Sequence, residues 1–313
     1  MANKSIENTT CTVCGSASTQ LFLQTNAMMH APNVELYSFY SCNNCESKFL
    51  RNPVNESELS QYYTENYLPY RGAAAWGVFA KFVEWDDEKL NKARKKAVLP
   101  YLHNTSTNRI LDVGCGKPDF LLEMSQLENV DVVGVDFVEA DWENPKYSNL
   151  TLQACDWKNA NFDSQFDLIT AWHYLEHDYD LNATESRFYD LLKVGGHVVI
   201  EVPMFEGFLQ KIQKTFWQGW HSPRHITLFS KKSWTILFPT DKWEIVTHKQ
   251  YGTLSAFTLW WLGYRQKRNT NWAGSMEPYF WSLVFLKVML FPIFMLEKII
   301  PFGVQTVVFK KRS

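Results

Sequence analysis

The chain is expected to fold as a doubly wound α/β domain on a seven-stranded, mostly parallel sheet. A small four-cysteine, zinc-ribbon-like module should precede it, and an apolar helical insertion should lie near its end. Three observations predict this. Short apolar strands alternate with helical patterns from residue 108 onward, a glycine turn follows the first of those strands, and two CxxC pairs stand upstream.

The 313 residues suffice for one large core or two ordinary domains, and 46% hydrophobic with 20% charged residues is ordinary globular composition. A net charge of −2 offers no basic stripe for phosphates, so nucleic acid is not an expected partner. The aromatic share is high at 16%, with 13 Trp, which favours an apolar or aromatic ligand surface. The segment MANKSIENTTCTVC lacks the apolar stretch of a secretory signal, so a cytoplasmic location is expected. There, paired cysteines read as metal ligands before disulfides.

Residues 1–60 read as the first unit. Cys11 and Cys14 form one CxxC pair and Cys42 and Cys45 another, with 27 residues between them. Four thiolates suit tetrahedral Zn²⁺, or iron in a rubredoxin-like variant. Four protein ligands leave no open position, so the metal would be structural. Apolar stretches at 20–23 and 36–40 suit small strands. Residues 61–107 read as a helical linker or lid, because Trp76, Phe79, Phe82 and Val83 recur at spacings of three and four. The aromatic cluster at 62–67 precedes them.

Residues 108–313 read as the wound α/β domain, and the ligand chemistry would reside there. Strands read at 109–112, 130–136, 150–155, 166–171, 196–202, 243–248 and 305–309. In such a sheet, ligands bind beyond the carboxyl ends of the strands near the switch in strand order. Gly114 and Gly116 follow the first strand. Asp136 ends the second, 24 residues after Asp112, where a carboxylate can accept from ribose hydroxyls. Asp156 and Trp157 follow the third strand, offering an acceptor and an aromatic face for adenine. A dinucleotide fingerprint would require Gly or Ala where Asp119 stands, which argues against a nicotinamide enzyme.

The segments LDVGCG at 111–116, VVGVD at 132–136, CDW at 155–157 and FDLITAWHYLEH at 166–177 closely resemble the class I S-adenosylmethionine-dependent methyltransferases. The resemblance is strongest to the ubiquinone-type and sugar C- and O-methyltransferases, some of which carry a similar double-CxxC zinc module. It implies a Rossmann-like methyltransferase fold with S-adenosylmethionine as cofactor. Gly114 and Gly116 would lie beside its methionine portion, and Asp112 would help hold its amino group. Asp136 would take the ribose hydroxyls, with Phe137 beside the adenine. Asp156 would accept from the adenine amine, and Trp157 could donate its backbone N–H. Pro118 stands where many members have a third glycine.

Methyl transfer to an oxygen or carbon acid needs a base, and His is the usual side chain near neutral pH. Candidates are His173, His177 and His225, with His221 beside the last in WHSPRH. His177 reads equally as a structural cap. The expected acceptor is a small, lipophilic or sugar-like molecule. An RNA methyltransferase and a non-catalytic adaptor are the competing readings.

The insertion at 253–303 holds apolar runs at 254–262 and 282–296, interrupted by Lys287 and Pro292 and so too short to span a bilayer. It reads as a helical hairpin packed on the core or in a homodimer interface, or else as a peripheral membrane contact.

Overall fold

The structure is a computed structural model and describes residues 7–30, 35–64, 67–104 and 106–313. Residues 1–6 and 31–34 of the N-terminal unit, and Glu65 and Asn66 of the aromatic cluster, lie outside the described residues.

The N-terminal unit forms β1 (Thr19–Thr25), β2 (Tyr37–Cys42) and β3 (Lys48–Leu50), an antiparallel meander. A helical stretch follows, with α1 (Leu68–Arg71) and α2 (Ala80–Val98). The wound domain then runs through β4 (Asn108–Val113), α3 (Asp119–Met124), β5 (Val130–Asp136), β6 (Thr151–Ala154), β7 (Phe166–Trp172), α4 (Leu181–Leu191) and β8 (Leu192–Pro203). It continues with α5 (Phe208–Gln213), β9 (Thr227–Leu228), α6 (Lys231–Leu237), β10 (Trp243–Lys249), α7 (Ala256–Gln266), α8 (Phe280–Phe294) and β11 (Val304–Lys311).

The large sheet has the order β10-β11-β8-β7-β4-β5-β6, as the α/β expectation requires. Its pairs are parallel from β8 across to β6, whereas β11 runs antiparallel between β8 and β10. Every residue of β7 is buried, because both sheet faces are covered and a central strand needs apolar side chains on each. The chain winds outward from β4 through β5 to β6, then crosses back to β7 on the other side of β4. The switch point therefore lies between the carboxyl ends of β4 and β7.

The cysteine unit does not close its own sheet. Its β3 pairs with β9, bringing Phe49 opposite Thr227 and Lys48 opposite Leu228. Thr12 Oγ1 and Thr227 Oγ1 lie 2.7 Å apart, and Ser230 Oγ donates to the Cys45 carbonyl at 2.6 Å. The cysteine unit is thereby fastened to the loop that carries His221 and His225.

The helical segment and the C-terminal insertion share one aromatic core. Trp76 packs on Trp261 with ring centroids 5.6 Å apart, and Phe79 stacks on Phe280 at 3.8 Å. The apolar run is longer than the sequence interruptions suggest. Glu277–Lys298 forms one helical stretch of 22 residues, by length and composition apolar enough to cross a membrane, and Phe280 is its one buried residue. Lys287 does not break it, since its ammonium turns back to Asp86 of α2 at 2.9 Å. Pro292 falls two residues before the end of α8 and removes only the N–H that would meet the carbonyl of Val288.

Candidate active site

The glycine turn after β4 lies at the switch point, where the candidate site is expected. Gly114 has φ of +69°, and a Cβ there would stand 2.6 Å from the Tyr174 ring. Gly116 has φ of +48°, and its Cβ position meets nothing within 4 Å. The first glycine is required by the chain itself, and the second borders open space that a ligand can enter. Pro118 precedes α3, which begins at Asp119. The Asp119 carboxylate is taken up by Lys146 and the Tyr147 hydroxyl, each at 2.7 Å.

Two carboxylates flank the turn. Asp112 is buried, and its Oδ1 accepts from Thr170 Oγ1 at 2.6 Å. Burial pushes its pKa up to about 7, against the lowering effects of Thr170 and the Arg94 guanidinium. Asp136 accepts from the Gly116 N–H at 2.8 Å and the Val138 N–H at 3.1 Å, so it fixes the turn while standing at the end of β5. Phe137 beside it is 61% exposed. Asp156 is exposed beyond β6 and accepts from Asn159 Nδ2 at 2.6 Å.

Trp157 departs from one expectation. Its indole is 1% exposed, stacks on Phe188 and donates to the Tyr174 hydroxyl at 2.8 Å. Its ring belongs to the core and offers no face to adenine, which leaves only its backbone for a ligand.

The three candidate histidines differ in their surroundings. His173 lies between two buried carboxylates, with Nδ1 at 3.3 Å from Glu176 and Nε2 at 3.4 Å from Glu201. Burial lowers its pKa, but the two carboxylates outweigh burial and push it up to about 9. It is an imidazolium at neutral pH, and this environment opposes the role of general base. His177 Nδ1 lies 3.0 Å from the Tyr63 hydroxyl and 3.1 Å from the Arg224 carbonyl. A carbonyl only accepts, so a proton on Nδ1 leaves Nε2 as the basic nitrogen. Burial holds the His177 pKa below its ordinary value.

His225 Nδ1 lies 2.7 Å from the Gly219 carbonyl, and burial followed by the nearby His177 charge lowers its pKa to about 3. Ligand atoms of Glu176, His177 and His225 lie within 4.8 Å of one another. His221 is turned to the Tyr67 hydroxyl at 2.9 Å, and burial drives its pKa well below the ordinary value. The second histidine cluster of the sequence thus meets the first, where the Ile226 N–H donates to the Glu176 carbonyl at 2.6 Å.

Several contributors carry no motif. Tyr63, Tyr67 and Tyr70 form a wall against His177 and His221, and Arg224 lies 4.1 Å from the Tyr67 ring centroid. Trp142 donates to the Gly116 carbonyl at 2.8 Å, so the segment after β5 folds back onto the turn. The tyrosines were visible only as a cluster, and Trp142 gave no sequence signal.

The cysteines converge as a pair of matched turns. The Gly15 N–H donates to the Cys11 carbonyl and the Glu46 N–H to that of Cys42 at 2.9 and 3.0 Å, with both turn residues at positive φ. The Cys42 sulfur receives the N–H groups of Asn44 and Cys45 at 3.4 and 3.5 Å. Cys11 and Cys45 sulfurs are 3.4 Å apart, those of Cys14 and Cys42 3.5 Å, and all four fall within 4.8 Å of one another. A four-sulfur site of this size fits a tetrahedral Zn²⁺.

A glycine turn at the switch point and acidic residues at successive strand ends, on this strand order, define an S-adenosylmethionine-dependent methyltransferase. A family profile described as a methyltransferase domain matches residues 82–248, more than half of the chain, and the protein belongs to that family. The chain is 32% identical over 117 residues to demethylmenaquinone methyltransferase of Staphylococcus saprophyticus, covering 35% of this chain and 50% of that protein. It thus spans about half the length of that relative. Among solved structures, it matches a chain of the Haloferax volcanii complex between the Trm112 methyltransferase activator and a methyltransferase at TM-score 0.50. Identity there is 16%, over 77% of this chain and 98% of the other. The cyclopropane synthase MmaA2 of Mycobacterium tuberculosis aligns at TM-score 0.49 and 14% identity, over 70% of this chain and 84% of that one.

Proposed function

We propose that this methyltransferase acts on an oxygen or carbon of a small lipophilic acceptor, with His177 as general base. The observation that carries this reading is the tethering of His177. Its Nδ1 is held by Tyr63 and the Arg224 carbonyl, which leaves Nε2 as the basic nitrogen, and its lowered pKa keeps it neutral at pH 7. His225 stands against it edge-to-face with ring centroids 4.6 Å apart. His173 supports the cluster as a fixed cation between Glu176 and Glu201.

Gly114, Gly116, Asp112, Asp136, Phe137, Asp156 and the backbone of Trp157 would hold the cofactor. The methyl donor is a sulfonium, so the protein's task is to align the acceptor in line with the methyl group and to remove a proton. The lipophilic character rests on the Tyr63–Tyr67–Tyr70 wall, which continues through Trp76 into the aromatic core of α7 and α8. The quinone named for the Staphylococcus relative agrees with that character. The Cys11, Cys14, Cys42 and Cys45 site would carry structural zinc, with 1–60 as its module and 253–303 as an insertion that meets a membrane.

Incubation with methyl-labelled S-adenosylmethionine and a membrane lipid extract tests the reading. Label should enter the organic phase, and His177→Asn should cut the rate by about 10²–10⁴ with cofactor binding retained. Label confined to water-soluble products, or a rate unchanged in His177→Asn, would overturn it.

A further inference from the structure

The basic groove at the C-terminal end of the apolar helix is a second site that the methyl-transfer chemistry does not use. It has a volume of about 410 Å³, and its lining includes Lys231, His248, Lys249, Lys298 and the apolar Ile299. Glu297 is the one acidic residue in that lining. No carboxylate of the described residues forms an ion pair with Lys231, Lys249 or Lys298. Glu206 is the other acid felt there, through its charge on His248.

An apolar surface begins where the groove ends. Ile299 is 79% exposed, and the exposed side chains of α8 continue from it as far as Trp281, which is 70% exposed. Pro301, also in the groove lining, accepts from the Phe208 N–H at 2.8 Å, so α5 adds the exposed Phe208 and Ile212 to the same surface. An apolar helix exposed along most of its length cannot be explained by the hydration of a lone soluble chain. Three ammonium groups without a close ion-pair partner at its end, with a Trp at the other, match the anchors of an element lying in a membrane interface.

We infer that this end of the molecule docks on an anionic phospholipid bilayer, with α8 and α5 in the acyl boundary and a lipid phosphate in the groove of Lys231, Lys249 and Lys298. This extends the lipophilic-acceptor reading above by naming the surface from which the acceptor is drawn. The aromatic core joining α8 to Tyr67 then lies between the bilayer and the candidate base.

The test is co-sedimentation of the full chain with phosphatidylcholine vesicles, with and without phosphatidylglycerol. Binding should require phosphatidylglycerol and weaken with salt. The triple variant Lys231→Glu, Lys249→Glu, Lys298→Glu should bind on the order of a hundredfold more weakly. Phe285→Asp should also release the protein. Equal binding of wild type and triple variant would overturn the groove. Calorimetric saturation by inorganic phosphate without vesicle binding would overturn the lipid as occupant. A stable dimer that Phe285→Asp dissociates, with no vesicle binding, would assign the face to a second copy and overturn the inference. Titration of S-adenosylhomocysteine into each variant should be unchanged. Failure of the wild type to bind the vesicles, with that titration and acceptor methylation intact, would fault this inference alone, not the reading of the active site.

Discussion

Thr170 Oγ1 donates to Asp112 Oδ1 at 2.6 Å across two adjacent parallel strands, where residue 170 of β7 is in register with residue 112 of β4. The bond stabilises a carboxylate that burial otherwise disfavours, and it sits at the point where strand order reverses. A ligand ammonium placed there would meet the ionised form. With the Asp112 pKa near 7, cofactor affinity should rise between pH 6 and pH 8. The sign for the unliganded protein is opposite. An acid whose folded pKa is raised binds its proton more tightly folded, so stability falls as pH rises from the ordinary carboxylate range toward 7. Thr170→Val should move the inflection in affinity to higher pH. Calorimetric titrations with S-adenosylhomocysteine across that range check both claims.

His173 should behave as a structural cation. Its pKa is raised to about 9, so the stability it contributes is complete below its unfolded value near 6.5 and is lost as pH rises through 9. His173→Gln leaves Glu176 and Glu201 buried without their shared cation, a change that typically costs about 3–5 kcal/mol. Urea unfolding at pH 6.5 and 9.5 should show a large gap between wild type and variant at the lower pH and a smaller one at the higher. An equal gap at both would contradict the assignment.

The two glycines of the turn should separate stability from binding. Gly114→Ala meets the Tyr174 ring and a positive φ, so it should lower the melting temperature as well as cofactor affinity. Gly116→Ala meets no atom of the protein and carries only the backbone cost of about 1 kcal/mol. It should remain folded, yet crowd a ligand approaching the turn. Melting curves paired with calorimetry distinguish the two.

Metal removal should reach the histidine cluster through β9. Structural zinc sites carry apparent binding free energies of about 10 kcal/mol or more, much of it coupled to folding. Metal analysis should find one zinc per chain. Chelation, or Cys45→Ser, should lower the melting temperature and depress kcat more than it raises KM for the cofactor, because β3 supports Thr227 and Leu228 just after His225. A full kcat in metal-free protein would show that the two units are energetically separate.

The strands of the large sheet were legible because each is a short, nearly continuous apolar run with a turn after it. All seven lie within a few residues of their expected positions. Asp112, Gly114, Gly116 and Asp136 were legible as residue types at strand ends. What the sequence concealed depends on long-range contact. The strand at Thr227–Leu228 is two residues long and has no periodicity, so its pairing with β3 is set by the tertiary fold. His173 looked like His177, and they are separated by long-range contacts: Glu201 of the neighbouring strand beside His173, Tyr63 and the Arg224 carbonyl beside His177. Trp157 sat correctly after its strand, but the direction of its ring depends on Phe188 and Tyr174. The length of the apolar helix was hidden by Lys287, whose charge is answered by Asp86, 201 residues away.

S-adenosylmethionine should bind at the glycine turn of the switch point, held in part by the carboxylate at the end of β5. Calorimetric titration with S-adenosylhomocysteine, in wild type and Asp136→Ala, tests it most directly. One site per chain is expected, weakened in the variant by about 1.5–3 kcal/mol, the range for hydrogen bonds to a charged group. No binding to wild type, or the same affinity in both proteins, would contradict it.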